Sequence, residues 1–217
     1  KHSSTPDDPS RSIVSGIHYI LESEGIDPVA VEYLAHGTTV ATNALIEKRG
    51  ARMGLITTKG FKDLMEIGNQ KRPSLYDLLK EKPESLIPSG LKCEVEERLL
   101  HDGSVKIPLN EEDVRKAVRF FQEQNVTTIA VCTLFSFINP AHERRIKEII
   151  LEEYPEAYVS ISSELVSEFR EYSRMSTTVL NAYLGPVMKQ YVENFQNSVR
   201  ESGIAVAPYV TQSNGSI

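Results

Sequence analysis

The segment 36–43 (HGTTVATN) combines an imidazole, a glycine, hydroxyls and an amide where a predicted strand turns into a helix. Small residues such as Gly37 let a ligand approach the backbone, and the N–H groups at a helix start attract phosphate or carboxylate. Thr38 and Thr39 add hydroxyls suited to the same anions. His36 adds a proton donor or acceptor near neutral pH. These residue types predict a site that binds an anion and exchanges a proton.

The same segment also has a purely structural interpretation. In that interpretation, Thr39 only caps the helix and Asn43 faces solvent. The pattern is neither a Walker loop nor a Rossmann fingerprint, so the segment does not identify a nucleotide site by itself.

A second polar cluster spans residues 164–174. Arg170 and Arg174 could clamp a carboxylate or phosphate, and Glu171 could orient one of them or act on a proton. On the charge pattern alone, a solvated, ion-paired turn is the favoured interpretation.

The loop at residues 66–73 is a third polar segment, and it follows a short predicted helix. Arg72 is its candidate anion contact. An exposed loop without a binding role is the favoured alternative, because connecting segments generally run over the surface.

The remaining histidines and the cysteines predict no metal site. No ligand-like spacing connects His2, His18, His101 and His142. Cys132 lies in the apolar run 128–135 and is expected to be a buried, inert thiol. With Cys93 as its one companion, it indicates neither a disulfide framework nor a zinc site.

Alternating helix and strand patterns must position these segments. An amphipathic helix begins at Pro9, behind the capping carboxylate of Asp8. The strand 31–35, the helix through Lys48 and the strand 52–57 then predict a parallel βαβ unit.

The second half of the chain repeats this pattern. Its predicted elements are a hairpin with strands at 93–99 and 105–107 around an Asp-Gly turn, a helix capped by Asn110, a buried strand at 127–135, a helix after Asn139-Pro140 and a strand at 157–161. The last three form a second predicted βαβ unit. A long helix over 176–202, interrupted at Gly185-Pro186, then leads to a strand at 205–211. This alternation predicts an open α/β sheet with flanking helices.

The composition is that of an ordinary globular protein, with 40% hydrophobic and 25% charged residues. The net charge of -6 argues against a nucleic-acid partner, because a phosphate backbone requires a basic face. No stretch approaches the roughly 18 apolar residues of a membrane span, and the start has no signal-peptide core. The cytoplasm is therefore the predicted compartment.

Both ends of the chain predict an internal piece of a longer protein. The chain begins without Met and runs at once into a helix. It stops shortly after a strand-like run, at a turn signal where a natural domain rarely ends.

Six short motifs resemble the N-terminal region of the hydantoinase A/oxoprolinase family, which includes N-methylhydantoinases, 5-oxoprolinases and acetone carboxylase-like subunits. In the family's order, the motifs are HGTTVATNAL (36–45), GLITTKGF (54–61), NPAHE (139–143), EFREYSR (168–174), NAYLGP (181–186) and QSNG (212–215). The sequence is therefore identified as a fragment of a member of this family.

The resemblance implies an α/β fold with a mixed open sheet, part of an actin/hexokinase-like (ribonuclease H-like) ATPase lobe. It implies ATP and Mg2+ as cofactors, with the phosphates held by a Gly-rich hairpin from each of two lobes. Those hairpins would lie before residue 1 and after residue 217, because the 217 residues contain no Asp-x-Gly-Gly-Thr motif. Residues 1–174 would form most of the first lobe, and residues 175–217 the connecting long helix and the start of the second.

The resemblance also implies roles for the candidate site residues. The segment 36–43 would border the substrate or phosphate end of the cleft, with His36 in proton transfer or polarisation. The implied ligand contacts in that segment are Gly37, Thr38, Thr39 and Asn43. Arg170 and Glu171 would lie near the hinge between the lobes.

Three functions remain open at this point. The first is ATP-dependent hydrolysis of a cyclic amide, in which phosphorylation of the ring oxygen of a hydantoin or 5-oxoproline lets water open the ring. The second is ATP-dependent carboxylation of a ketone such as acetone or acetophenone, and the third is a non-catalytic interaction domain. The resemblance implies a small-molecule substrate and a second, hydantoinase B-like subunit or domain as partner. Without both phosphate hairpins, this piece is not expected to turn over ATP alone.

Overall fold

The computed structural model describes residues 5, 9–70, 74, 76–77, 79–80, 82 and 84–211. The chain forms two compact units. The first consists of Lys1–Gly50 together with Val187–Ile217, and the second of Ala51–Pro186. The sequence-based division into lobes at residue 174 is a different boundary and stays a prediction.

The described residues contain both helices and strands throughout. The helices are α1 (Pro9–Glu24), α2 (Val40–Ile46), α3 (Leu64–Ile67), α4 (Glu111–Glu123), α5 (Ala141–Glu153), α6 (Ser162–Leu165) and α7 (Glu171–Glu201). The strands are β1 (Ala35–Gly37), β2 (Met53–Thr58), β3 (Lys92–Val95), β4 (Arg98–Leu99), β5 (Val105–Ile107), β6 (Thr128–Cys132), β7 (Tyr158–Ile161) and β8 (Tyr209–Thr211). Short 3₁₀ helices lie at Pro28–Ala30 and Ser89–Leu91.

The core of the first unit joins α1 to the C-terminal half of α7. Its buried side chains are Leu21, Phe195, Val199 and Ile204. Ile13 and Ile17 of α1 pack against them at the spacing of successive helical turns, as the periodicity of this helix predicts. β1 and β8 form a parallel pair in which His36 lies opposite Val210.

Two predictions for this unit are wrong. The strand begins at Ala35 and not at Val31, so His36 and Gly37 lie inside it and not in the turn before α2. β1, α2 and β2 do not form a βαβ unit, because β1 pairs with β8 whereas β2 belongs to the other sheet. The order of strand and helix along the chain is local information, and it does not determine which strands pair.

The second unit is built on a four-stranded parallel sheet with the order β3-β2-β6-β7. Every residue of β2 and β6 is buried, as in parallel sheets that are covered on both faces. The predicted unit of β6, α5 and β7 is confirmed, since the two strands pair in parallel. The predicted α/β class with flanking helices is confirmed as well.

Helix α4 follows its sequence prediction closely. The Asn110 side chain accepts hydrogen bonds from the backbone N–H groups of Glu112 and Asp113, which are free at a helix start. Its buried face consists of the four predicted residues, Val114, Ala117, Val118 and Phe121. Because the cap and the periodicity are both local signals, this helix could be predicted without knowledge of the fold.

The predicted hairpin is confirmed only in part. β4 and β5 pair in antiparallel fashion around the Asp-Gly turn. The residues before them, β3, instead join the parallel sheet beside β2. One continuous sequence run therefore contributes to two different sheets.

The predicted interruption of the long helix at Gly185-Pro186 is wrong, because α7 runs through Pro186. Proline removes one backbone N–H from the helix ladder, and the helix tolerates that loss here. Gly185 has a packing role, since a Cβ there would lie closer than 3.0 Å to three atoms of the Tyr158 side chain. The glycine therefore provides space for a neighbouring ring and does not end the helix.

Both cysteines are expected to react slowly in the folded chain. Burial raises the pKa of the Cys93 thiol to about 11 and that of Cys132 to about 12. For Cys93 this rise lowers the thiolate fraction at pH 8 by about 100-fold relative to an ordinary cysteine. Alkylation rates with iodoacetamide, compared between native and urea-unfolded chain, would measure the difference. Equal rates in both states would contradict the buried position of the two thiols.

No helix in the described residues is long and apolar enough to cross a membrane. The predicted cytoplasmic location stays a prediction.

Candidate functional site

His36 lies in the middle of β1 and contacts two aromatic residues of α7. Its Nε2 lies 2.6 Å from the hydroxyl oxygen of Tyr191, and its ring centroid lies 4.9 Å from that of Phe195. The imidazole is half-buried, and this burial lowers the pKa of His36 below its ordinary value. The neutral ring is therefore the favoured form at pH 7.

Gly37 provides a close approach between the two strands of the first unit. A Cβ at this position would lie 3.2 Å from Oγ1 of Thr211 on β8. That hydroxyl lies 3.4 Å from the carbonyl oxygen of His36, toward which it donates. Gly37 therefore leaves room for its neighbouring strand, which is a structural reason for a glycine that sequence analysis assigned to ligand approach.

Thr38, and not Thr39, has the side chain that caps α2. The N–H of Val40 donates to Oγ1 of Thr38 at 3.2 Å. Thr39 occupies the N-cap position, but its side chain makes no capping hydrogen bond. Its Oγ1 instead accepts from the amide of Asn43 at 3.4 Å, and both of these side chains are exposed. The structural interpretation of this segment is thus confirmed for the N-cap position of Thr39 and the exposure of Asn43, although the Thr39 side chain makes no capping bond.

The other two predicted polar clusters lie in the second unit and pack side by side. A Cβ at Gly68 would lie 3.6 Å from the ring of Tyr172, and the hydroxyl of Ser176 lies 3.8 Å from the sulfur of Met65. Helix α3 and the glycine that follows it therefore contact the first turns of α7. Arg72, the candidate anion contact of this loop, lies outside the described residues.

Two lysines hold the last residues of α3. Lys92 of β3 forms an ion pair with Glu66, and only 2% of the lysine side chain is exposed. Lys82 donates to the backbone carbonyl oxygens of Glu66 and Ile67 at 2.7 and 3.0 Å. This part of the predicted polar loop is therefore anchored to the sheet by charge-assisted hydrogen bonds.

Arg170 and Glu171 lie at the start of α7. Arg170 is exposed, has a left-handed backbone with φ 78°, and places its guanidinium 5.3 Å from the ring centroid of Phe169. A left-handed conformation is uncommon for a residue with a side chain, so the neighbouring structure must hold it. Neither Arg170 nor Glu171 forms an ion pair with another described residue, which leaves both side chains available to a ligand.

The predicted solvated turn at residues 164–174 is wrong for Arg174, which is only 1% exposed. Its guanidinium donates to the hydroxyl of Ser162 at 3.1 Å, to the carbonyl oxygen of Glu168 at 3.1 Å and to that of Thr133 at 2.6 Å. Arg174 thus connects the start of α7 with the ends of β6 and β7. Because it holds the carbonyl of Glu168, it also supports the strained backbone at Arg170.

Glu143 is the buried carboxylate of this network. It accepts hydrogen bonds from the N–H of Thr133 at 2.8 Å, from the hydroxyl of Ser162 at 2.6 Å and from the N–H of Ser163 at 2.8 Å. The residue lies in the first turn of α5, where the helix dipole also favours a negative charge. Sequence analysis missed this role, although the motif at 139–143 contains the residue.

A second buried carboxylate, Glu97, connects the same strand ends. His142 Nδ1 lies 2.7 Å from one oxygen of Glu97, and the hydroxyl of Thr58 donates to the other. The Thr58 oxygen in turn accepts from the N–H of Leu134 at 3.0 Å. The carboxyl ends of the parallel strands are thereby joined by buried side-chain hydrogen bonds.

An open cavity of about 190 Å³ lies in the first unit, beside the end of α7. Gln196, Arg200 and Ile204 are among its lining residues, which include none of the predicted site residues. Its volume matches a few water molecules or a small ligand fragment.

The described residues contain many carboxylates, which are oxygen ligands of the kind that Mg2+ uses. None of their histidine, cysteine, aspartate and glutamate side chains form a group of three or more that could hold a metal ion. In nucleotide sites Mg2+ is usually held by one or two carboxylates together with the phosphates, so this finding concerns only a site made wholly of protein ligands.

Comparison with known proteins connects both units to one family. Residues 1–154 match the family described as the hydantoinase/oxoprolinase N-terminal region, and residues 174–217 match the hydantoinase/oxoprolinase family.

Three curated relatives have related activities in their names. Caprolactamase subunit alpha of Pseudomonas jessenii is 36% identical over 223 residues, covering 100% of this chain and 32% of the relative. The acetophenone carboxylase gamma subunit of Aromatoleum aromaticum is 37% identical, over 80% of this chain and 25% of the relative. 5-Oxoprolinase 1 of Arabidopsis thaliana is 32% identical, over 94% of this chain and 18% of the relative. The chain thus spans a third or less of the length of each.

A solved structure agrees with this comparison. The crystal structure of the ATP-dependent caprolactamase from Pseudomonas jessenii superposes with a TM-score of 0.89, at 36% identity, over 99% of this chain and 32% of that one. The match covers nearly every residue, and it is consistent with the actin-like lobe that the sequence motifs imply.

Proposed function

This chain belongs to the hydantoinase/oxoprolinase family, and from that premise we propose that its full-length protein uses ATP to hydrolyse a cyclic amide. The observation that carries this proposal is the similarity to an ATP-dependent caprolactamase, at 36% identity over the whole chain and a TM-score of 0.89. The similarity to 5-oxoprolinase 1 supports it, because 5-oxoproline is also a cyclic amide. An enzyme named as an ATP-dependent caprolactamase and one named as a 5-oxoprolinase thus each match more than nine-tenths of this chain.

The need for ATP follows from the chemistry of amides. Amide resonance makes the carbonyl carbon a poor target for water, and phosphorylation of the amide carbonyl oxygen by ATP, with release of ADP, would remove that protection. The chain's own residues would then bind and orient the ring and polarise its carbonyl. Hydrogen-bond donors that the fold already holds beside the oxygen that becomes negative in the transition state usually make the largest single contribution to the rate of such a reaction.

We assign this polarising or proton-transferring role to His36. It is half-buried, held at Nε2 by Tyr191 and favoured in the neutral form. A neutral imidazole presents one N–H donor and one acceptor nitrogen, so it suits either role. Thr38, Thr39, Gly37 and Asn43 are proposed as ligand contacts beside it. Arg72, Arg170 and Glu171 are proposed as further contacts to an anion.

Replacement of His36 by alanine in the full-length protein is expected to lower amide-stimulated ATP turnover by at least about 100-fold, the usual minimum for loss of a general acid or base. The measurement is phosphate release by the full-length protein with its second subunit. The substrates are caprolactam, 5-oxoproline and a hydantoin, each tested with wild type and His36→Ala. Ring-opened product, followed by mass spectrometry, must appear together with phosphate.

His101→Ala is the matched control, because His101 is exposed in the turn between β4 and β5. Its turnover is expected to equal that of wild type. Full activity in His36→Ala would remove His36 from the site. Absence of stimulation by every cyclic amide would overturn the proposed substrate class.

A second candidate is ATP-dependent carboxylation of a ketone. It is favoured by the 37% identity to the acetophenone carboxylase gamma subunit. The two reactions differ in their co-substrates, because ring opening consumes water and carboxylation consumes bicarbonate. Turnover that requires both a ketone and bicarbonate would therefore identify the carboxylase.

A second subunit is the proposed partner. Two of the relatives are named as subunits, alpha in the caprolactamase and gamma in the acetophenone carboxylase. Co-purification with the product of a hydantoinase B-like gene is the expected result. A non-catalytic interaction domain would be favoured if the assembled protein bound that partner and did not consume ATP with either substrate set.

A further inference from the structure

The contact between His36 and Tyr191 joins residues that are 155 positions apart. Tyr191 is 6% exposed, and its hydroxyl oxygen lies 2.6 Å from Nε2 of His36. Phe195, one helical turn further along α7, is fully buried and packs against the same imidazole. The tyrosine and the phenylalanine therefore hold the ring at one nitrogen and at one face.

The direction of this hydrogen bond determines where the proton of His36 lies. A neutral imidazole has one protonated and one unprotonated nitrogen, so Nε2 either donates or accepts. The oxygen of a phenol shares its lone pair with the ring, which makes the hydroxyl a better donor than acceptor. The unprotonated nitrogen of imidazole is a strong acceptor. The stronger pairing is therefore the one in which Tyr191 donates to Nε2.

Burial supports the neutral ring that this pairing requires. The pKa of His36 is lowered by desolvation. A protonated ring would carry a hydrogen on Nε2 and would force the tyrosine hydroxyl to turn and accept. Both effects oppose the charged form in the folded chain.

We propose that Tyr191 is a positioning residue that holds the proton of His36 on Nδ1, so that His36 acts as a neutral hydrogen-bond donor to a carbonyl oxygen and not as a base. Nδ1 has no hydrogen-bond partner among the described residues, so it is the nitrogen that a ligand would meet. That the ligand of His36 is a carbonyl oxygen rests on the proposed function. The position of the proton on Nδ1 does not. A neutral imidazole donor polarises a carbonyl without first taking up a proton from solvent.

Nitrogen-15 NMR of the 217-residue chain tests the tautomer directly. At pH 8, the expected spectrum of His36, assigned with His36→Ala, shows a protonated Nδ1 and an unprotonated Nε2. Tyr191→Phe keeps the aromatic ring and removes the hydroxyl, and it is expected to move a large share of the proton to Nε2. A wild-type spectrum with the proton on Nε2 would overturn the proposal, because Tyr191 would then be the acceptor.

Tyr183→Phe is the matched control. Tyr183 lies on the same helix, is 7% exposed, and has no side-chain hydrogen bond to another described residue. Its replacement is expected to leave the His36 signals unchanged. A tautomer that is equal in wild type and Tyr191→Phe would overturn the role of Tyr191. The wild-type spectrum by itself shows which group donates in the hydrogen bond between His36 and Tyr191. The proposal can therefore be tested even if a variant folds poorly.

Turnover measurements on the full-length protein test the tautomer proposal and the proposed function independently. Tyr191→Phe is expected to lower amide-stimulated turnover about 10-fold, and the loss is expected to be in kcat, because tautomer population affects the reacting complex. A protonated Nδ1 without any amide-stimulated turnover would leave the tautomer in place and remove the proposed substrate class. Unchanged kcat in Tyr191→Phe, together with a changed tautomer, would overturn the donor role of Nδ1.

Discussion

Replacement of Arg174 by methionine is expected to lower the free energy of unfolding of the second unit by about 3 to 5 kcal/mol, the usual cost of breaking a buried charged network. Methionine has a similar length but no donors. Three acceptors would each lose one donor, namely the carbonyl oxygens of Thr133 and Glu168 and the hydroxyl of Ser162. Arg174 is 1% exposed, so water cannot replace these bonds without opening the core.

The loss would extend to Glu143. Its carboxylate is fully buried and accepts from the Ser162 hydroxyl that Arg174 also contacts. Without the guanidinium, this negative charge would keep its three hydrogen bonds but lose the nearby positive charge. The free energy of unfolding of a whole domain is only about 5 to 15 kcal/mol, so the variant is expected to lose a large part of its stability.

Urea unfolding followed by circular dichroism would measure the change. Arg200→Met is the matched control, because Arg200 is exposed on the same helix, and its effect is expected to stay within about 0.5 kcal/mol. The loss of stability in Arg174→Lys is expected to fall between those of the two methionine variants. A single ammonium group cannot reach all three acceptors that the planar guanidinium contacts. A loss below about 1 kcal/mol in Arg174→Met would contradict the structural role of this network.

Replacement of Gly54 by alanine is the second large effect, with an expected loss of about 3 kcal/mol from overpacking. A Cβ at this position would lie closer than 3.0 Å to three ring atoms of Phe121. Gly54 is in β2, between two paired strands, and Phe121 is fully buried in the face of α4. The strand is paired on both sides and the ring is fully buried, so the extra methyl group is expected to displace the ring or the helix that carries it.

The overlap predicts a specific rescue. Phe121→Leu removes the ring atoms and is expected to cost about 1 to 2 kcal/mol by itself. The double variant Gly54→Ala, Phe121→Leu is then expected to be more stable than the sum of the single losses by at least about 1 kcal/mol. Gly90→Ala is the control, because nothing lies within 4 Å of its added Cβ. Additive losses would show that the two residues do not share the same space.

Local signals in the sequence were sufficient for several elements. Asn110 and the apolar face of α4 were predicted residue by residue, because a helix cap and a 3.6-residue period depend only on neighbours in the chain. The buried run containing Cys132 was predicted for the same reason, since its continuous apolar character is typical of a covered parallel strand.

Long-range pairing escaped the sequence analysis. β1 was expected beside β2 but pairs with β8, so Ala35 lies opposite Tyr209. Arg174 was expected in solvent, because its segment is rich in charge, but it is buried against Thr133, 41 positions away. In both cases several partners were compatible with the local pattern, and burial in the folded unit selected one of them.

For the candidate site too, some features were predictable from the sequence and others required the tertiary structure. The residue types of segment 36–43, and their resemblance to one family, predicted His36 as a candidate from the chain alone. The partner at Nε2 required the tertiary structure, because Tyr191 approaches His36 only when α7 packs beside β1. A sequence specifies which groups can donate or accept a proton, whereas the direction of each hydrogen bond depends on distances of about 3 Å that only folding creates.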